Sequence, residues 1–166
     1  MATTKITNIN QISSIFDNKM VIVIDYVTIQ VYYKLRENIM DKAYSETSTT
    51  EYFNGRNRTG QFIESFKKEE TKIKLRQVIG RIFQDVNVMQ VLYASDGNFW
   101  NAHADIWGND VREGLIDILN SDNTGVWKTG SREGHFLDDT LDWIDKNIDR
   151  LVMEGATKAG IPIVKR

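Results

Sequence analysis

One segment constrains the fold most, because an apolar pattern continues through its whole length. It comprises residues 20–46, MVIVIDYVTIQVYYKLRENIMDKAYSE. Read with period two, its apolar residues resemble a strand that only Asp25 interrupts; read at steps of three and four, they form one helical stripe. The members of that stripe are Met20, Ile24, Val27, Val31, Leu35, Ile39 and Ala43. Strands rarely exceed about ten residues, so the length predicts a long helix. We place its start near Asp17, a residue type that caps helix N-termini, and its end at the polar stretch SETSTTE.

The middle of the chain predicts strands. Asn54-Gly55 is a turn dipeptide and Gly60 tolerates a positive φ, so NGRNRTGQF (54–62) is interpreted as the turn that begins the sheet, with Phe62 entering the core. Residues 62–95 then alternate imperfectly between apolar and polar, as two or three half-buried strands would. Gly80 within this segment suggests a bulge.

Two helices follow in the second half. Asp110 to Glu113 resembles a capping box, and the apolar residues between 111 and 119 predict a short helix. The final helix shows a stripe at helical spacing, with aspartates on its other faces and Gly155 as the predicted C-cap. The stripe residues are Leu137, Leu141, Ile144, Ile148 and Leu151, and the aspartates are Asp138, Asp139, Asp142, Asp145 and Asp149.

This order of elements predicts an α+β fold, in which a long N-terminal helix and a C-terminal helix pack on one side of a small antiparallel β-sheet. The 166 residues suit one domain. We therefore predict a single domain over 1–166, with short flexible ends at about 1–10 and 156–166.

Composition excludes several classes of protein. Hydrophobic residues make up 41% and charged residues 27%, as in a globular chain. The sequence contains no run of 18 apolar residues, so we predict no membrane-spanning helix. The N-terminal residues MATTKITNIN lack the apolar core of a signal peptide. With no cysteine in the chain, we expect assembly in a reducing cytoplasm.

Charge is segregated along the chain although the net charge is only −2. Residues 51–84 carry eight basic and four acidic side chains, whereas residues 85–154 carry five basic and fourteen acidic ones. Segregation of this kind bears on association and not on fold. It fits either two solvated faces or one surface that binds its opposite on a neighbouring copy.

No arrangement typical of an enzyme is present, so we predict no catalytic residue, no cofactor and no metal. His103 and Asp105, with Asp96 upstream, are the nearest approach to a hydrolytic metal site, but their spacing matches no known ligand motif. The serines lack a GxSxG context, and the glycines do not form a P-loop. A metal-dependent hydrolase is therefore the hypothesis that we rank third, after a structural role and nucleic-acid binding.

The basic segment 56–81 supports the hypothesis that we rank second, in which the chain is a small nucleic-acid-binding or regulatory module. Its cations can contact phosphates, and Phe62 and Phe66 can stack on bases or, as we favour, pack in the core. The chain as a whole is acidic, which argues against a dedicated DNA-binding protein. Trp127 lies in the loop NTGVWKTG, where an aromatic residue often anchors an interface. The candidates for a subunit interface or a DNA-facing surface are Arg56, Arg58, Lys67, Lys68, Lys72, Lys74 and Trp127.

Three short motifs resemble the neck and tail-completion proteins of long-tailed bacteriophages. Arg58-Thr59-Gly60 with Ser65 resembles that family's R-T-G-x-L-x-x-S segment. Trp107-Gly108 resembles its aromatic-glycine pair, and Phe136-Leu137 resembles the Phe-Leu motif that begins its last helix. The family's prolines before the first and third motifs are absent here.

The resemblance implies a non-enzymatic virion protein at the head–tail junction, assembled in the host cytoplasm. It implies a ring of six or twelve copies that joins the portal-side connector to tail proteins, without contact with a membrane. A passive contact with genomic DNA in the channel is compatible with it. Heterologous ring contacts join two different faces, which agrees with the charge segregation.

Overall fold

The computed structural model describes residues 9–44, 61–75, 77–89 and 135–163. Helix α1 (Ile9–Asn38) continues as a π-helical segment (Ile39–Tyr44), and α2 (Gln61–Ser65) precedes four strands. The remaining elements are β1 (Phe66–Lys68), β2 (Lys72–Lys74), β3 (Gln77–Ile79), β4 (Ile82–Gln84), a 3-10 helix (Val86–Val88) and α3 (Phe136–Lys158). Strand β1 pairs with β4, and β2 pairs with β3. The predicted α+β fold, with two principal helices that contact a small antiparallel sheet, is confirmed.

The long first helix is confirmed, but its predicted start is wrong. Helix α1 begins at Ile9, and Asp17 lies inside it, with Ser13 Oγ 3.5 Å from its carboxylate. An aspartate next to polar residues is compatible with a cap or with a solvated helix face. Only the structure distinguishes the two.

The prediction for residues 62–95 is partly wrong. Residues 61–65 form helix α2, because the buried set Phe62, Ile63 and Phe66 follows helical spacing and not alternation. Four strands of three residues each follow, where two or three were expected. Gly80 lies between β3 and β4 and not at a bulge within a strand. Residues 90–95 and the predicted helix at 111–119 lie outside the described residues.

The chain divides into two compact units. Unit 1 comprises Met1–Tyr32, Lys68–Ile82 and Ile144–Arg166, and unit 2 comprises Tyr33–Lys67 and Phe83–Trp143. Both α1 and α3 contribute residues to each unit.

In unit 1, α1 and α3 run antiparallel and approach closely. Lys19 Nζ donates to the carbonyl of Gly160 at 2.8 Å, and Tyr26 Oη donates to Glu154 at 2.6 Å. A Cβ added to Gly155 would lie 3.1 Å from the carbonyl oxygen of Val23, so this glycine allows the helices to approach. Gly155 was predicted as a C-cap, which is wrong: α3 ends at Lys158, and Gly160, with φ 64°, follows it.

The opposite face of α1 contacts the base of the β2–β3 hairpin. A Cβ on Gly80 would lie 1.9 Å from Thr28 Oγ1 and 3.1 Å from Ile24 Cγ2. Thr28 is five residues after Val23, which places the two roughly 140° apart around a helix of 3.6 residues per turn. In unit 1, therefore, α1 separates the hairpin base from α3.

Unit 2 contains an aromatic cluster. The rings of Phe62, Phe66 and Phe136 meet edge to face, with centroids 5.3 to 6.5 Å apart. Phe136 is fully buried, and the buried Ser65 donates to the carbonyl of Phe62 at 2.6 Å. Edge-to-face packing of this kind adds to the hydrophobic gain from burial.

The buried face of α3 differs from the predicted stripe. Phe136, Thr140 and Leu151 are buried, whereas Leu141 is exposed. Asn38 Nδ2 donates to Thr140 Oγ1 at 2.9 Å, so a polar residue takes a core position because a buried partner satisfies it. Asp138 and Asp139 lie in the first turn of α3, where acidic side chains interact favourably with the helix dipole.

Candidate assembly surface

The β2–β3 hairpin is the most exposed element among the described residues. Its strands pair antiparallel, with Lys72 opposite Ile79, Ile73 opposite Val78 and Lys74 opposite Gln77. Side chains alternate between the two faces of a strand, so Ile73 and Val78 share one face. Lys72 and Lys74 lie on the other. Every residue of β2 is exposed.

Leu75 lies at the tip of this hairpin in an unfavourable conformation. Its φ is 49°, and its side chain is 87% exposed. Leu75 directly follows β2 at the connection to β3, a position where asparagine or glycine is strongly preferred because such turns require positive φ. A leucine with left-handed backbone costs about 1–2 kcal/mol, and full exposure leaves its apolar surface in water. The folded monomer therefore gains little from Leu75.

The predicted basic candidates have different roles around the hairpin. Lys74 is exposed, and among the described residues its side chain forms no ion pair. Lys72 is also exposed and lies 3.7 Å from Glu69, a distance at which a surface pair contributes little. Lys67 in β1 is half-buried. Lys68 instead has a partner in its own chain.

Asp25, the polar residue that interrupts the apolar pattern of α1, joins this helix to the segment before the hairpin. Its Oδ1 accepts from Lys68 Nζ at 2.6 Å and from Thr71 Oγ1 at 2.9 Å. The hydrogen bond from Lys68 holds the pKa of the Asp25 carboxyl below its ordinary value, with Thr71 acting in the same direction. Lys68 thus stabilises the fold, and the surface available to a partner begins at Lys72.

A second polar network joins α1 to α3 in unit 1. Glu154 accepts from Tyr26 Oη and, at 2.8 Å, from Arg150 Nη1, and these bonds lower the pKa of the Glu154 carboxyl. The same carboxylate raises the pKa of the Tyr26 phenol. Lys158 Nζ lies 4.9 Å from the centre of the Tyr26 ring. This network stabilises the pair of helices α1 and α3. The outer face of α3 is formed by other residues.

That outer face is acidic. Asp145 and Asp149 are four residues apart and therefore on one side of α3, and both are exposed. Within the described part of the chain, neither forms an ion pair. The exposed side chains of Val152 and Met153 continue the same side toward the helix C-terminus.

The residues of the family-like motifs have structural positions where the structure describes them. Ser65 and Phe136 lie in the aromatic core of unit 2, and Leu137 is half-buried beside it. The other motif residues, Arg58, Thr59, Gly60, Trp107 and Gly108, lie outside the described residues. So do the interface candidates Arg56 and Trp127 and the weighed metal candidates Asp96, His103 and Asp105.

Over residues 9–44, 61–75, 77–89 and 135–163, no cluster of three or more histidine or acidic side chains is arranged to hold a metal ion. In the same ranges, no helix combines the length and apolarity needed to span a bilayer.

Comparison of the chain with protein-family models, with curated proteins and with solved structures finds no match.

Sequence reasoning selected the lysines of the hairpin but missed Ile73 and Leu75. A signal for them exists in the stretch KIKLRQVI (72–79), where Leu-Arg occupies the turn between two alternating segments. A tight turn without glycine, asparagine or aspartate is a departure from local preference. Such departures are expected at strained or functional positions.

Proposed function

We propose that this chain is a non-enzymatic structural protein that acts by binding copies of itself. The observation that carries the proposal is the exposed hairpin, with Leu75 at its tip. An isolated two-stranded hairpin is marginally stable in water, and this one exposes apolar side chains on a strained turn. A partner that covers the tip would offset both costs.

The motif resemblance suggests where this self-association would take place, namely the setting of a phage head–tail junction. A ring at the head–tail junction of a long-tailed phage, between the portal-side connector and the tail, needs a subunit with two different contact faces. The basic hairpin and the acidic outer face of α3 are two such faces. In this proposal the chain assembles in the host cytoplasm and is retained in the virion.

Sedimentation of the purified chain over a range of concentrations tests self-association. We expect the mean mass of the wild type to rise with concentration and that of the Leu75→Asn variant to stay near the monomer. Phe16→Asn, which also removes an exposed apolar side chain but from α1, is the matched control and should associate like the wild type.

Electron microscopy of particles made without the protein tests the setting. Heads without tails would support a role at the junction. Normal infectious particles would contradict it.

A second candidate function, nucleic-acid binding, is favoured by one observation. Lys72 and Lys74 project from the same face of an exposed hairpin, as phosphate-contacting residues do. If this function holds, DNA affinity should fall steeply with salt and fall further in Lys74→Glu. No measurable affinity at low salt would exclude it.

A further inference from the structure

Two surfaces of unit 1 complement each other in charge and in apolar character. The hairpin presents Lys72 and Lys74 on one face, with Leu75, exposed by 87%, at its tip. The outer face of α3 presents Asp145 and Asp149, followed by Val152 and Met153, exposed by 40% and 44%. We infer that the hairpin of one copy binds the outer face of α3, residues 145–153, in a second copy. This inference rests on the proposed self-association and names its two contact surfaces.

The hairpin cannot bind the α3 of its own chain in this way. Its base contacts α1 through Gly80 and Thr28, whereas α3 contacts the other side of α1 through Gly155 and Val23. The outer face of α3 points away from α1 as well, because Asp149 is two residues, or roughly 200°, from the buried Leu151. The α3 that the hairpin binds must therefore belong to another chain.

Contact between two hairpins is also disfavoured. Through the lysine faces it would bring Lys72 and Lys74 of both copies together, and like charges in a contact weaken association. Binding of hairpin to α3 pairs opposite charges and also covers apolar area on both sides. Since the two surfaces differ, the contact is head to tail, and its repetition produces a closed ring or an open filament.

Engineered cysteines test this contact directly, because the chain has none of its own. Leu75→Cys mixed with Val152→Cys should form disulfide-linked dimers on oxidation, since the bond requires Cα atoms about 4.4–6.8 Å apart. Leu75→Cys mixed with Lys158→Cys is the control, because Lys158 is exposed and lies nine residues, or roughly 180° around the helix, from Asp149. Selective linkage of the first pair is the expected result. Equal linkage in both mixtures, or linkage of Leu75→Cys mainly to itself, would overturn the inference.

Charge reversal provides a second test with a matched control. Lys74→Glu and Asp149→Lys should each weaken self-association by about 3- to 10-fold, and the double variant should recover it because the pair is reversed. Lys146→Glu changes the net charge as Lys74→Glu does, but it adds an acid to α3 and should not weaken association. Additive weakening in the double variant, or equal weakening by Lys146→Glu, would contradict the inference.

The outcomes separate the contact from the function. A wild type that self-associates while the Leu75–Val152 linkage is absent would refute this contact and leave the proposed function standing. A wild type that stays monomeric at every concentration and is missing from finished particles would refute the proposed function itself.

Discussion

The aromatic cluster of unit 2 and the hairpin of unit 1 use apolar residues in opposite ways. Phe136 is fully buried among other phenylalanine rings, whereas Leu75 is exposed at a turn with positive φ. The first arrangement stabilises the folded monomer through burial, and the second costs the monomer free energy. This difference indicates that the aromatic cluster serves folding, whereas the hairpin tip serves association. Substitutions at the two sites should therefore affect different measurements.

The largest effect on stability is expected at the aromatic cluster. Phe136→Ala should lower the free energy of unfolding by about 3–5 kcal/mol, because it removes a buried ring and leaves a cavity. Leu141→Ala, an exposed position one turn later on α3, should change it by less than about 0.5 kcal/mol. Denaturant unfolding measures both, and similar losses for the two variants would mean that the cluster is not a core.

The next effect concerns the contact between the hairpin base and α1. Gly80→Ala should destabilise the protein by about 1–3 kcal/mol, because the new Cβ would overlap Thr28 Oγ1. Adding Thr28→Ala removes that oxygen and should restore part of the loss. No rescue in the double variant would show that the hairpin base does not rest on this residue.

Acid sensitivity tests the attachment of the hairpin segment through Asp25. Because the folded-state pKa of Asp25 lies below its ordinary value of 3.8, its ion pair stabilises the fold above that pH. The contribution is lost as the pH falls through the folded-state pKa. Solvent screening limits it to about 1 kcal/mol.

The wild type should therefore exceed Asp25→Asn in stability near neutral pH, and the difference should vanish in strong acid. Urea unfolding at several pH values measures this difference. Asp17→Asn, the same change on the same helix away from Lys68, is the control. A difference between wild type and Asp25→Asn that does not change with pH would exclude the proposed ion pair.

The smallest effect on stability is expected at Leu75. Leu75→Asn should leave the free energy of unfolding unchanged or raise it by up to about 1 kcal/mol, because asparagine tolerates positive φ better than leucine. Self-association should nevertheless be lost. A large drop in monomer stability would place Leu75 with Phe136 as a folding residue and remove the contrast between the two sites.

Several features could be predicted from local patterns alone. The long helix follows from the extent of its apolar stripe, and the burial of Phe62 and Phe66 follows from their spacing of four residues. Exposed aspartates on α3 follow from helical periodicity. In each case the pattern lies within a short stretch of sequence, where the spacing of apolar residues and the solvation of polar ones determine the local structure.

Other features depend on residues far apart in sequence. Asp25 accepts from Lys68 and Thr71, more than forty positions away, and no local pattern indicates that pairing. The same holds for the buried Thr140, whose hydroxyl donates to the carbonyl of Phe136 but also accepts from Asn38, far away in sequence, and for Gly155, which serves helix contact instead of capping.

The sequence by itself determined that this chain forms two long helices and a small sheet, since periodicity and turn chemistry act locally. Tertiary structure decided which face of α3 is buried, where α1 begins and which lysines remain exposed. Those outcomes depend on contacts between distant segments, whose free energies exceed the preferences of single residues. For Leu75 the stretch KIKLRQVI signals an unusual turn, but its positive φ and its exposure are known only from the structure.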